Sequence, residues 1–402
     1  MFLVSRYQIE RRNLVIDFLR GCAVFLVLCM HFTYTAIPSG LRVRWPLSFE
    51  KFVSLLGNGF YFMSVFFVIS GFVITTKLLE RSNNSLRKID LGHFYLFRFS
   101  RIFPGLFLFC VIFSALYLLR QPEYYLDYIS LKDLLYAIFT FQCNVYALHH
   151  LPVGLGRWGV LWSLGIEEVF YLGFPLLCLA IRSHRGIIFA LLLLIVVGPI
   201  CRMKGGVDSI HLNLSCFDQM AFGCIGAMIA GLERFRKLRS CYHYALCIVG
   251  FVLILATWNF ATLQEYYVLG PSFAALGATM YLCGQGPFKK IQTFSELRMM
   301  KKCGVMLLLP LSLLGLLSYE LYLFHLLFLS VAESVLKLYQ HRLNWEFSFT
   351  LGYLLFVLIA ALLAAGIYFY ILEPVRNWVR SFITNALTVR TLVRADIEEV
   401  KG

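Results

Sequence analysis

The chain is patterned as long, nearly unbroken apolar runs joined by short polar links. The runs lie near 14–36, 51–78, 100–119, 157–181, 186–202, 215–232, 241–258, 266–284, 310–337 and 348–372. Each approaches or exceeds the roughly 20 apolar residues that carry a helix across a bilayer. In hydrocarbon, every backbone polar group must be satisfied within its own helix. The pattern therefore predicts an all-α polytopic membrane protein with about ten transmembrane helices. One shorter apolar run, 131–147, is ambiguous by length alone.

Charge placement resolves that run. The N-terminus is basic (Arg6, Arg11, Arg12). The link 77–101 carries Lys77, Arg81, Arg87, Lys88, Arg98 and Arg101, while 120–130 carries Glu123 and Asp127. If 131–147 crossed, Arg182, Arg185, Arg234, Arg236, Lys237 and Arg239 would fall outside, against the positive-inside rule. If it does not cross, they fall inside. So do Lys289, Lys290, Arg298, Lys301, Lys302, and the tail with Arg376, Arg380, Arg390 and Arg394. The expectation is ten crossings, both termini cytoplasmic, and 131–147 as a surface or re-entrant helix on the outer side. The first run contains Asp17 and Arg20, so it reads as an anchored helix rather than a cleavable signal. Small residues at helical spacing (Gly223, Ala227, Gly231; Ala361, Ala365) predict close helix packing. The organisation is a membrane domain over 1–374 and a basic cytoplasmic tail over 375–402.

Composition narrows the class. Hydrophobic residues make up 60% and charged residues 14%, which excludes a soluble enzyme and a disordered chain. It also argues against a porin-type barrel, whose strands alternate apolar and polar. Lys and Arg number 36 against 22 Asp and Glu, a formal charge of +14. In a membrane chain this excess is topogenic, so no nucleic-acid partner is expected. The twelve cysteines form no C-x-x-C, and no Cys/His group has zinc spacing. No metal site and no disulfide framework are predicted.

Ionisable residues inside spans are costly, about 2.5–3.5 kcal/mol each at a helix centre, and such groups usually face a bundle interior or a wet cavity. Asp17 and Arg20 are three apart and can pair. Arg20 and His31 are eleven apart, which is three turns, so they share a face about 16 Å apart. Arg98 and Arg101 share a face at a span entrance, where two guanidinium forks could grip phosphate; topogenic or lipid-phosphate contact is the plainer alternative. Ser163, Glu167 and Tyr171 line one face of the fourth span, with Glu168 about 100° round. Ser318, Tyr322 and His325 align near 318–325, as a site or as helix-to-helix hydrogen bonding. Pro374 is expected to end the last span.

Taken together and in order, these features resemble the acyltransferase-3 family of membrane O-acyltransferases. The resemblance covers most of the chain. It rests on Arg20-x10-His31, Phe66-Phe67-Val-Ile-Ser70-Gly71-Phe72, Arg98-x-x-Arg101 with Pro104, and Trp162-Ser-Leu-x-x-Glu-Glu-x-Phe-Tyr171. Asp218 before Gly223 and Gly226, Ser318-Tyr-x-x-Tyr-Leu-x-His325, and Glu373-Pro-x-Arg376 complete it. Ser64, Val65 and Glu320 depart from common family residues. The extra hydrolase-like domain of longer members is missing from this sequence, which suggests a stand-alone enzyme.

The resemblance implies transfer of an acyl group, most often acetyl, from cytoplasmic acyl-CoA to a hydroxyl of a cell-surface or lipid-linked glycan. Acyl-CoA is a co-substrate, and no tightly bound cofactor is expected. Arg98 and Arg101, with Arg20, stand where the donor phosphates would arrive. His31 is the expected general base, with Glu167 as its partner or as acceptor binder; a covalent acyl-His31 relay competes with direct transfer. Asp17 fixes Arg20. Ser163, Glu168, Tyr171, Tyr322 and His325 are placed on the supporting or acceptor side. The family's usual occurrence points to a bacterial inner membrane. Three alternatives stand beside this: the same chemistry on a small molecule such as a macrolide, a non-enzymatic transporter or channel, and a non-catalytic membrane receptor or scaffold.

Overall fold

The computed structural model describes residues 13–36, 43–44, 59–82, 89–122, 124–150, 154–260, 266–285, 309–343 and 347–383. The expected topogenic residues Arg6, Arg11, Arg12, Arg87, Lys88, Glu123, Lys289, Lys290, Arg298, Lys301, Lys302, Arg390 and Arg394 lie outside the described residues.

The apolar runs become helices, as backbone pairing in hydrocarbon requires. They are α1 (Leu14–Ala36), α2 (Phe60–Arg81), α3 (Leu91–Leu118), α4 (Leu131–Phe139) and α5 (Cys143–Leu148). After a 3-10 turn at Gly156–Leu161 come α6 (Trp162–Ile181) and α7 (His184–Gly205). A second 3-10 turn, Val207–His211, leads to α8 (Asn213–Gly231), α9 (Glu233–Arg236), α10 (Ser240–Phe260) and α11 (Gly270–Gly284). The chain ends in α12 (Leu309–Leu316), α13 (Ser318–Leu343) and α14 (Phe349–Gly366). Val43–Arg44 and Phe347–Ser348 make a two-residue parallel pairing.

The all-α polytopic class holds, with differences in detail. Among the described residues, eight helices are long and apolar enough to cross, or nine if α12 and α13 form one span. The expected ten included 266–284. Its helix α11 has 15 residues, about 22 Å at 1.5 Å per residue, short of the ~30 Å hydrocarbon core. The run 310–337, expected as one crossing, bends by 87° between α12 and α13. The bend follows Gly315, a poor helix former. Gly21 of α1 and Gly315 let the two helix backbones touch, because a Cβ on either would overlap a carbonyl of the other helix, at Leu311 and Asp17. The run 131–147 folds into the short helices α4 and α5. At 9 residues α4 cannot span a bilayer.

Close packing by small residues is real but only partly where the spacing put it. A Cβ on Gly223 would overlap the Val68 carbonyl and lie 2.8 Å from the Phe72 nitrogen, so α2 and α8 touch there. Gly231 faces open space. In α14 the fully buried alanines are Ala360 and Ala364, one residue before the expected pair.

Pro374 does not end the last helix. A π-helical segment at Ile367–Leu372 precedes it, and the chain stays helical to 383. The widened turn accommodates a ring that cannot donate to the preceding turn. Arg376 is buried against Glu320, and Arg380 also returns to the bundle.

Candidate active site

The site is built from one face of each of five helices. On α2, Met63, Phe66, Ser70, Val73, Lys77 and Arg81 recur at steps of three and four, so they form a continuous wall. The inner part of that wall meets α1, α3, α6 and α13 around a chamber of about 80 Å3. Arg20, Ser70, Arg98, Arg101, Ser163 and Glu167 supply its polar lining, with Tyr171, Ser318, Tyr319 and Tyr322. The outer part of the same wall borders a second cavity of about 510 Å3, lined by Lys77, Arg81, His93, Arg98, Arg101 and Arg380 among others. The two cavities share Val73, Arg98 and Arg101. The start of α1, the end of α2, the start of α3 and the end of 373–383 therefore gather at one end of the bundle.

Both adjacent carboxylates of α6 are used. Ser70 Oγ donates to Glu167 Oε1 at 2.5 Å. Glu168 pairs with Arg98, Oε1 to Nε at 3.9 Å, and the Arg98 guanidinium carbon lies 3.4 Å from the Tyr171 ring centre. Arg98 is thus held between a carboxylate and an aromatic face, where a delocalised cation is stabilised. Asp17 and Arg20 make the expected pair at 3.9 Å.

Tyr322 organises the opposite wall. Its hydroxyl donates to the Val160 carbonyl at 2.8 Å. That uses its one proton, so Ser163 Oγ donates to Tyr322 Oη at 2.6 Å. Behind Tyr322 stand two imidazoles. The Tyr322 and His325 rings are 5.9 Å apart, and His325 and His31 are 4.8 Å apart at 50°. His325 Nδ1 donates to the Tyr322 carbonyl at 2.7 Å. Its Nε2 is therefore the acceptor nitrogen, and it is buried with no partner among the described residues. Neither imidazole lines the chamber wall. His31 reaches the site through the ring sequence His31, His325, Tyr322.

Several groups escaped the sequence reading. Ser70 sat inside a quoted motif, and its spacing to Lys77 and Arg81 was the available signal. Tyr319 donates to the Ile102 carbonyl at 2.8 Å and ties α13 to α3 beside Arg101. Away from the chamber, Arg202 of α7 grips Asp218 of α8 with two hydrogen bonds of 3.0 and 2.8 Å. Both side chains are fully buried, and Ser272 completes the cluster. Nothing at 202 in the local pattern marked that partner.

A polar chamber holding carboxylate, hydroxyl and guanidinium groups thus lies inside a bundle of apolar helices and adjoins a basic cavity. The acyltransferase domain of the acyltransferase-3 family matches residues 13–370, and the chain belongs to that family. The O-acetyltransferase OatA of Staphylococcus aureus is 26% identical over 388 residues, covering 90% of this chain and 57% of that protein. The peptidoglycan O-acetyltransferase OatA of Listeria monocytogenes is 25% identical over 357 residues, covering 81% and 50%. The putative peptidoglycan O-acetyltransferase YrhL of Bacillus subtilis is 23% identical over 392 residues, covering 90% and 54%. The chain spans about half the length of the curated relatives it matches. No solved structure matches it.

Proposed function

We propose that the chain is a membrane O-acyltransferase that moves an acyl group, acetyl first, from coenzyme A thioester to a hydroxyl of a cell-surface or lipid-linked glycan. The observation that carries this reading is the junction at Arg98 and Arg101, where a basic cavity opens into a chamber containing Glu167. The O-acetyltransferase names of the relatives agree with it, and the peptidoglycan named for two of them favours a glycan acceptor. In this reading the basic end faces the cytoplasm of a bacterial plasma membrane, with both termini on that side, and the acceptor arrives from the other leaflet.

The chemistry then runs as follows. The donor passes Arg98 and Arg101 and presents its thioester carbonyl in the chamber. The acceptor hydroxyl loses its proton to the base, its oxygen attacks the carbonyl carbon, the C–O bond forms and the C–S bond breaks. The leaving thiolate recovers the proton. His31 is the base, braced by His325, whose Nδ1–H is already committed to Tyr322; it stands behind Tyr322, so in this reading the acceptor hydroxyl meets it where the chamber opens past the Tyr322 ring. Glu167, held by Ser70, binds or orients the acceptor hydroxyl. The start of α13 lines the chamber at Ser318 and Tyr319. A helix N-terminus is electropositive and suits the charge developing on the carbonyl oxygen. Direct transfer and an acyl-His31 relay share this arrangement. An acid-quenched turnover, digested and weighed by mass spectrometry, separates them by an acetyl mass on the His31 peptide.

The test is reconstitution of the purified chain in liposomes with radiolabelled acetyl-CoA and a peptidoglycan fragment or lipid-linked glycan. Label in an ester of the glycan is expected. Solute flux without acetyl-CoA consumption would replace this reading with a transporter. Label on a small alcohol and on no glycan would move the acceptor class.

A further inference from the structure

We propose that the donor's phosphates are held at the outer end of the basic cavity, by Lys77, Arg81 and Arg380, beyond the arginine pair at the chamber mouth. This assignment rests on the acyl-CoA reading above and supplies its nucleotide-binding subsite.

The argument is a ruler laid along α2. Ser70 marks the chamber, because its hydroxyl bonds Glu167. Lys77 and Arg81 follow on the same face seven and eleven residues later. At 1.5 Å per residue they stand about 10 and 16 Å from Ser70 along the axis. The arm between the sulfur and the pyrophosphate of coenzyme A contains two amide units and a cysteamine. At roughly 3.5 Å per residue-sized unit it reaches on the order of 10–14 Å. A thioester beside Glu167 therefore carries its phosphates to the level of Lys77 and Arg81. Arg98 and Arg101 line both the chamber and the cavity, so they stand at the junction, where the arm passes, with Arg81 farther out along α2. The charge of Arg98 is also already answered by Glu168, at 3.9 Å.

The outer groups have the right chemistry. Lys77 makes no hydrogen bond or ion pair among the described residues and is exposed into the cavity. Arg81 Nη1 donates to His93 Nδ1 at 2.7 Å. That leaves the His93 Nε2 as an N–H donor. The His93 ring stacks on Phe97 at 4.2 Å and 26°, a flat face beside the cations. Arg380 enters from the helix 373–383, beyond the 13–370 family match. Among the described residues, Asp90 is the one acid of this wall. It is turned to its own helix, where Oδ1 accepts the His93 backbone N–H at 2.9 Å. Among the described residues, five lysine and arginine side chains thus surround about 510 Å3 against one committed carboxylate. A ligand with phosphate groups at one end and an uncharged arm at the other fits that distribution.

The experiment is calorimetric titration of the full chain in lipid nanodiscs with coenzyme A, 3′-dephospho-coenzyme A and pantetheine, at low and high salt. Wild type is expected to bind coenzyme A roughly tenfold or more tighter than pantetheine, with the gap closing as salt rises. Lys77→Gln and Arg81→Gln should each lose about tenfold in affinity for coenzyme A, so that the preference over pantetheine collapses, and Lys77→Arg should restore it. Glutamine variants that bind coenzyme A as wild type does, or a wild type that binds coenzyme A and pantetheine equally, overturn the assignment and leave the acyl-CoA reading standing. A wild type that binds no coenzyme A at all overturns both. The wild-type ligand series decides the matter even if a glutamine variant does not fold.

Discussion

Replacing Ser70 by Ala removes one oxygen and tests the chamber directly. The Ser70 hydroxyl donates to Glu167 Oε1 at 2.5 Å. Hydrogen bonds to charged groups contribute about 1.5–3 kcal/mol. Glu167 lines an open chamber, so water can replace the lost donor, and the low end, about 1.5 kcal/mol, is the better figure. If Glu167 must be held in one orientation to meet the acceptor, that loss appears in the transition state and slows turnover about tenfold. The assay is initial-rate acetyl transfer in proteoliposomes over a range of donor and acceptor concentrations. The expected pattern is a fall in kcat/KM for the acceptor, little change in donor KM, and recovery in Ser70→Thr, which keeps the hydroxyl. Ser70→Ala with wild-type kinetics for both substrates would refute the claim that Ser70 positions Glu167.

Three further outcomes are expected. His31→Gln should lower transfer by about 10²–10⁴-fold, the usual worth of a general base, with an unchanged elution profile and melting point in detergent; transfer near the wild-type rate would place the base elsewhere. Asp218→Asn breaks a fully buried pair with Arg202 and should cost about 3–5 kcal/mol of stability, read as a lower unfolding midpoint, and an unchanged midpoint would mean that the remaining hydrogen bonds carry the cluster. His211 lies in the link before α8, where burial pushes its pKa below the ordinary 6.5 and Asp208 only partly offsets it. The unfolded chain therefore binds a proton near and below pH 6.5 that the folded chain resists, so the His211 contribution to stability is lost as pH falls. His211→Gln should flatten the decline in unfolding midpoint between pH 7.5 and 5, and identical pH profiles would remove His211 from the account.

Helix type, membrane class and family were legible in the chain because each depends on local order. Twenty apolar residues in a row can satisfy their backbone in lipid only as a helix. Spacing by three, four, seven and eleven fixes which side chains share a face whatever surrounds the helix. That is why the Asp17–Arg20 pair and the inward face of Ser163, Glu167 and Tyr171 were readable. Partners on different helices were not readable, because they depend on how far one helix slides and turns against another. Glu168 was placed off the inward face, yet Arg98 of α3 meets it there. His325 carried no sign that it would stand between Tyr322 and His31. Arg202 found Asp218 across the α7–α8 contact, where a Cβ on Gly198 would lie 2.6 Å from the Asp218 carboxyl carbon. The 87° bend after Gly315 decided that the start of α13 would open into the chamber. The sequence alone determined the helices and the polar face each presents. Only packing decided which of those faces meet, because contact between helices is set by close approach and crossing angle, which no single helix encodes.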